Sequence, residues 1–374
     1  MYVRTYRMED QVNYRIILWL MIMALCGLVQ SSASAQEVQD SLYRTEEITV
    51  QAGDFTIVGD LYIPLEGTRH PAVVWVHGSG QITRQLMVPL IKPQIEVFIK
   101  AGFSFFIDDI PGSGASKGQL GNVVFQDRAL ILTKEIEALK NRTDIIPTQI
   151  GVAGASQAGV VMPLASTMTS DIAFMVAEAC VAEPSYRQDA YLVKHFMICE
   201  GLSPEEAAKT ARMQLQRYET ENYEEYGAAA EYLSSSEPCK LIGLNNPPVS
   251  EERFKARVKS TTKLGAYYDP MPLVANMNFP ILALFGEKDK NIDSAQGMEA
   301  YRQAFKTAGN TLNRVELIAN ANHCLYEAET GCVRELMAQV GSGKSYYSAQ
   351  TLGIIADWLD QLKTRFDQAD LKAQ

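Results

Sequence analysis

The stretch "GVAGASQAGVVMPLAS", Gly151 to Ser166, decides the fold. An apolar run enters it, Gly-Ala-Ser-Gln-Ala-Gly interrupts it, and a second apolar run leaves it. Ser156 sits at the junction, with Gly154 two residues before it and Ala158 two residues after. Small residues at those places let a strand reverse sharply into a helix, because bulky side chains would strike the crossing backbone. A serine at such a turn is either a helix cap or an exposed nucleophile. As a nucleophile it would lie near backbone N–H groups of the helix N-terminus, which favour developing negative charge. The choice depends on whether the chain also supplies a base, an acid and oxyanion donors.

Around this turn, apolar strands alternate with helices. Ile48 to Gln51 and Phe55 to Ile63 flank a Gly53-Asp54 turn. "PAVVWVHGSG" (Pro71 to Gly80) and "FSFFIDDIPGSGASKG" (Phe103 to Gly118) each read as a buried strand running into a glycine-rich loop. Helices are expected over Ile91 to Ala101, Gln126 to Lys140 and Gln157 to Met168, and strands over Gln149 to Ala153 and Ile172 to Ala179. From Tyr186 to Tyr267 the chain turns helical, polar and strand-poor. The strand–helix rhythm resumes with "FPILALFGEKDKNID" (Phe279 to Asp293), a helix over Ala295 to Thr307, a strand over Arg314 to Ile318 and a closing helix over Tyr346 to Phe366. Strands without alternation, separated by helices, indicate a parallel sheet covered on both faces. The reading is one α/β domain, 36–185 with 268–374, carrying a helical cap insertion over 186–267.

The chain has 374 residues, 47% hydrophobic and 21% charged, an ordinary globular composition. A net charge of -10 excludes nucleic acid as an expected partner, since phosphate binding needs a basic face. Residues 1–35 read as a signal peptide. Arg4, Arg7 and Arg15 precede the apolar run Ile16 to Val29, and Ala33-Ser34-Ala35 offers a cleavage site before Gln36. Periplasmic or extracellular localisation follows, with an uncleaved N-terminal anchor as the alternative; the apolar run is short for a membrane span. After cleavage the cysteines are Cys180, Cys199, Cys239, Cys324 and Cys332, an odd number. Cys324 and Cys332 are close enough in sequence to staple a loop, or the thiols are free. No Cys/His grouping has zinc spacing, so no metal is expected, and no organic cofactor is implied.

The base for Ser156 must be one of four histidines. His70 precedes Pro71, His77 ends the third strand, and His195 lies in the insertion. His323, in "NANHCL", follows the last strand. The order Ser, Asp, His along such a chain places the acid after the preceding strand, where Asp289 in "FGEKD" fits and Asp293 is the rival. Ser156, Asp289 and His323 each fall just past a strand's C-terminal end, the edge where parallel sheets place their chemistry. "HGSG" (His77 to Gly80) supplies flexible backbone at the same edge. The oxyanion donors are assigned to the backbone N–H groups of Ser79 and Gln157, with His77 orienting its loop.

These pieces, "HGSG", "DDIPGSGASKG", "IGVAGASQAGVVMPLAS", "LALFGEKDKNID" and "NANHCL", resemble the α/β-hydrolase superfamily. Within it they look like exported bacterial serine esterases related to serine aminopeptidases and bile-acid-conjugating acyl-thioester hydrolases. The resemblance spans most of Pro71 to Leu325. It implies an α/β-hydrolase fold, a mostly parallel eight-stranded sheet with helices on both faces, and a Ser156–His323–Asp289 triad acting on a small-molecule acyl ester. An aminopeptidase or amidase with the same triad is the alternative, for which Glu200, Glu205 or Glu206 would hold a free amine. A non-catalytic binding protein on a hydrolase scaffold is another. The sequence departs from that family at two places. Ala158 stands where the elbow usually has glycine, and Asp109-Ile110-Pro111-Gly112 lacks the arginine of the usual Asp-x-Arg-Gly. Met197, Met213, Leu215, Tyr218 and Tyr223 are candidates either for an acyl pocket or for packing among the insertion's helices.

Overall fold

The structure is a computed structural model describing residues 42–118, 125–259 and 265–373; the segment 1–35, expected from the sequence to be a signal peptide, lies outside the described residues. The chain divides into two compact units, one spanning Pro184–Tyr268 and the other the remaining described chain.

The larger unit is built on one eight-stranded sheet in the order β1-β2-β4-β3-β5-β6-β7-β8. β1 (Tyr43–Ala52) and β2 (Phe55–Pro64) form a hairpin, and β2 pairs antiparallel with β4 (Ser104–Asp108). β3 (His70–Val76), β5 (Ile145–Ala155), β6 (Met175–Glu178), β7 (Ile281–Gly286) and β8 (Arg314–Ile318) continue the sheet from β4 in parallel. Every residue of β3 and β7 is buried, so both faces of the sheet's centre are covered. That is why these strands read as unbroken apolar runs.

The helices of this unit are α1 (Arg84–Lys100), α2 (Phe125–Lys140), α3 (Ala158–Ala165), α9 (Met271–Val274), α10 (Ser294–Ala308), α11 (Val333–Gly341) and α12 (Ala349–Ala373). α1 begins seven residues before the expected Ile91, although Pro89 and Pro93 lie inside it. Each proline removes a helix hydrogen bond. Burial of Leu90, Ile91, Ile95, Phe98 and Ile99 and a cap from the Thr83 hydroxyl, which accepts from the Leu86 N–H at 3.2 Å, offset that loss. Aromatic packing carries the core from strand to closing helix. Phe103 meets Phe174 edge-on at 5.6 Å, and Phe174 meets Trp358 of α12 at 6.1 Å. The Trp358 indole N–H donates to the Leu312 carbonyl at 2.9 Å, so its one polar atom is satisfied.

The smaller unit holds α4 (Ser185–Cys199), α5 (Pro204–Glu219), α6 (Tyr223–Ser235), α7 (Glu237–Leu241) and α8 (Glu251–Lys259). Ser203 and Glu206 form a reciprocal capping box at the start of α5. Val193, Met197, Ala207, Leu233, Cys239, Ile242 and Leu244 make its core, with Met213 against them. Tyr223 packs with Tyr226 and Phe254 in a second cluster. Met197, Met213 and Tyr223 therefore pack among this unit's own helices, the second of the two roles expected for them. Among the described residues no helix is long and apolar enough to cross a membrane.

One buried acid stands at the end of β6. Glu178 is 2% exposed. The Gln94 side-chain amide donates to one of its oxygens, and the other lies 3.1 Å from the Tyr347 hydroxyl. That hydroxyl in turn lies 2.9 Å from Gln94 Oε1. A neutral Glu178 lets its own hydroxyl donate to Tyr347, Tyr347 to Gln94 Oε1 and Gln94 to Glu178, closing a ring of three. Burial pushes its pKa up to about 8, with the bonds from Tyr347 and Gln94 opposing. A raised folded-state value for an acid means the folded protein holds a proton the unfolded chain has released. Stability is then greatest below the unfolded value of 4.5 and is lost as pH rises towards about 8. We expect Glu178→Gln to remove roughly 3–5 kcal/mol of this pH dependence. Urea unfolding at pH 5 and pH 8 checks it: between the two the wild type should lose more stability than the variant, and an equal loss in both would refute the assignment.

Candidate active site

The elbow forms where the sequence places it. β5 ends at Ala155, α3 begins at Ala158, and Ser156 between them adopts φ 57°, a left-handed conformation rare outside glycine. Its N–H donates to the Glu178 carbonyl at 3.0 Å, and its own carbonyl accepts from the N–H groups of Val181 at 3.0 Å and Gly159 at 3.1 Å. The N-cap of α3 is Gln157, with no side-chain capping bond, so Ser156 is not spent as a cap. A Cβ on Gly154 would meet the Val76 carbonyl oxygen at 2.4 Å and the Ala158 methyl at 2.7 Å. The missing side chain at Gly154 is thus what makes room for the methyl of Ala158, one of the two departures in the sequence.

Asp289 and His323 come together from adjacent loops. Asp289 follows β7 and is 2% exposed. Its Oδ1 accepts from the N–H groups of Asn291 at 2.7 Å and Ile292 at 2.9 Å. Its Oδ2 lies 2.8 Å from His323 Nδ1. The two loops are stitched at the backbone, the Glu287 N–H donating to the Ile318 carbonyl at 3.0 Å and the Lys288 N–H to the Ala321 carbonyl at 2.8 Å. Gly286 permits this approach, since a Cβ there would lie 2.5 Å from the carbonyl oxygens of Ala321 and Asn322. Asn322 fixes the histidine loop from inside, its Oδ1 accepting from the Cys324 N–H at 3.0 Å. With Nδ1 against Asp289, Nε2 is the ring nitrogen that Asp289 does not take.

The rival residues have other work. Asp293 caps α10, accepting from the N–H groups of Ala295 and Gln296 at 3.1 Å each. His195 Nδ1 lies 2.9 Å from the Tyr191 carbonyl within α4, and His70 is buried as the first residue of β3. His77 is 2% exposed, with Nε2 2.8 Å from the Asp108 carbonyl oxygen. Cys324, beside His323, is a free thiol, so the loop staple to Cys332 is not formed. Burial pushes its pKa up to about 12, which keeps it protonated and poorly nucleophilic.

The "HGSG" loop reaches the elbow: a Cβ on Gly78 would lie 3.3 Å from Ser156 Cβ. This brings the Gly78–Ser79 segment beside Ser156 and Gln157. The loop after β4, which lacks the arginine, is held in part by Asp109. Asp109 accepts from the Arg84 N–H and the Ala115 N–H at 2.8 Å each. Sequence reasoning missed Asp109 and also Arg128, whose guanidinium bonds both the His77 carbonyl and the Gln157 side chain. Neither has a spacing signature. Among the described residues no group of three or more His, Cys, Asp and Glu side chains is arranged to hold a metal ion.

No family model and no curated protein matches the chain. Solved structures do. The Pyrococcus furiosus esterase Pf2001 in one crystal form is similar at 14% identity and a TM-score of 0.53, covering 89% of this chain and 96% of that one. A second crystal form of it gives 13% identity and a TM-score of 0.51, covering 89% and 98%. With the sheet order and the elbow, these likenesses define the fold: the chain has the α/β-hydrolase fold.

The tight crossing predicts a penalty. Gly154→Ala should cost about 1–3 kcal/mol by overpacking against Val76 and Ala158. A drop in the urea midpoint at unchanged slope would agree, and an unchanged midpoint would show that the crossing relaxes freely.

Proposed function

We propose that the protein is a serine hydrolase cleaving a small-molecule carboxylic ester. The observation carrying this is the 2.8 Å Asp289–His323 pair on loops at the sheet edge where β5 presents Ser156 at φ 57°. In this reading His323 Nε2 takes the proton of the Ser156 hydroxyl as Oγ attacks the acyl carbonyl. The N–H groups of Ser79 and Gln157 stabilise the oxyanion. The tetrahedral species collapses, the C–O bond to the leaving alcohol breaks, and His323 returns the proton to that oxygen. Water, deprotonated by the same histidine, then hydrolyses the acyl-enzyme. Asp289 holds the imidazole tautomer and stabilises its charge. The named activity of the Pyrococcus esterase supports the ester reading. The arginines, the apolar run and Ala33-Ser34-Ala35 support export to the periplasm or beyond.

Steady-state kinetics on an aryl acyl ester and an aminoacyl anilide test this. The ester should turn over, and Ser156→Ala, His323→Ala and Asp289→Asn should each lower kcat by about 10⁴-fold or more. Preference for the anilide would instead make the protein an aminopeptidase. No turnover of either by folded wild type would favour a binding protein on a hydrolase scaffold.

A further inference from the structure

Arg128 lies on the first turns of α2, a helix that carries none of the residues assigned to the reaction. Its Nη2 donates to the His77 carbonyl oxygen at 2.5 Å, and its Nη1 donates to Gln157 Oε1 at 2.6 Å. The first acceptor is in the loop leaving β3, and the second belongs to the residue after Ser156. These two segments carry the two backbone N–H groups assigned to the oxyanion, those of Ser79 and Gln157. One planar group therefore ties together the two halves of the site. Charge-assisted bonds of this kind are stronger than neutral ones, and the guanidinium fork makes both at once where an ammonium acts as a point charge.

The surroundings keep this cation in place. Asp108, at the end of β4, and Glu135, on α2, both raise the Arg128 pKa. Burial outweighs them and lowers it to about 10, so the guanidinium is charged at neutral pH. Glu135 is 4% exposed. Burial, and then the charge of Asp108, drives its carboxyl well above the carboxylate range, and its side chain is hydrogen-bonded to Asp108. Asp108 faces Arg128. Asp108 also holds the far side of the same loop, its Oδ1 3.2 Å and its carbonyl oxygen 2.8 Å from His77 Nε2. The loop leaving β3 is thus clamped from both sides, by Asp108 on the His77 ring and by Arg128 on the His77 carbonyl.

We propose that Arg128 is the positioning residue of the oxyanion site, setting the spacing between the Ser79 and Gln157 N–H groups without touching the substrate. This rests on the serine-hydrolase reading above. It assigns to α2 a part in the chemistry that its sequence does not announce.

The test compares wild type, Arg128→Met, Arg128→Lys and Gln157→Leu in kcat, KM and affinity for an arylboronic acid, which forms a tetrahedral anionic adduct with an active serine. Arg128→Met should lower kcat and boronate affinity together by about 10²-fold, with KM within about 3-fold, as expected when one oxyanion donor is misplaced. Arg128→Lys keeps a cation opposite Asp108, guarding against misfolding, and should recover less than about 10-fold of the loss because it cannot hold both acceptors. Gln157→Leu keeps its backbone N–H but loses one acceptor. Combined with Arg128→Met it should cost less than the product of the single effects. A folded Arg128→Lys with wild-type kcat and boronate affinity would overturn the inference, as would a loss confined to KM. If folded wild type neither hydrolyses the ester nor binds the boronate, the serine-hydrolase reading fails first and this inference falls with it.

Discussion

Ser156 is held with φ at 57°, in a region an L-residue enters at a cost of about 1–3 kcal/mol. Backbone bonds hold it there, from its N–H to the Glu178 carbonyl and from the Val181 N–H to its own carbonyl. The surrounding structure follows from keeping that one residue in place. β5 must end against β6 so that Glu178 and Val181 present those groups. Gly154 must have no side chain, because the Val76 carbonyl and the Ala158 methyl occupy its space. The loop leaving β3 must pass close enough for Gly78 to lie beside Ser156. A sharp turn on a buried parallel sheet thus becomes a point where strand ends from β3, β5 and β6 converge.

Much of this was legible in the sequence because it is written in small residues and apolar runs. "VAGASQAG" announces the turn, and the unbroken strands announce a sheet buried on both faces. The order of Ser156, Asp289 and His323 could be read because each follows a strand whose end is marked by Gly, Asp or Asn. The choice of Asp289 over Asp293 rested on strand-end position, and the structure shows Asp293 committed to capping α10. α1 extends seven residues N-terminal to the expected Ile91, across Pro89, which the buried face of Leu90, Ile91 and Ile95 tolerates. α11 was not anticipated at all.

What the sequence concealed lies in long-range polar pairing. Arg128 meets His77 and Gln157 across separations of 51 and 29 residues. Nothing in a local pattern distinguishes it from a solvated helix arginine. Asp109 likewise orders the described part of the loop after β4, accepting from the Arg84 and Ala115 N–H groups. Cys324 sits beside His323 in sequence, yet burial makes it an inert neighbour. In each case the residue type was visible but its partner was not.

The central claim is that Ser156 is an activated nucleophile. The most direct measurement is reaction of the protein lacking residues 1–35 with a fluorophosphonate probe, followed by mass spectrometry of the adduct. The account predicts a single phosphonylated residue, Ser156, and no adduct on Ser156→Ala. A folded protein that takes up no probe, or one labelled elsewhere with Ser156 untouched, would contradict it.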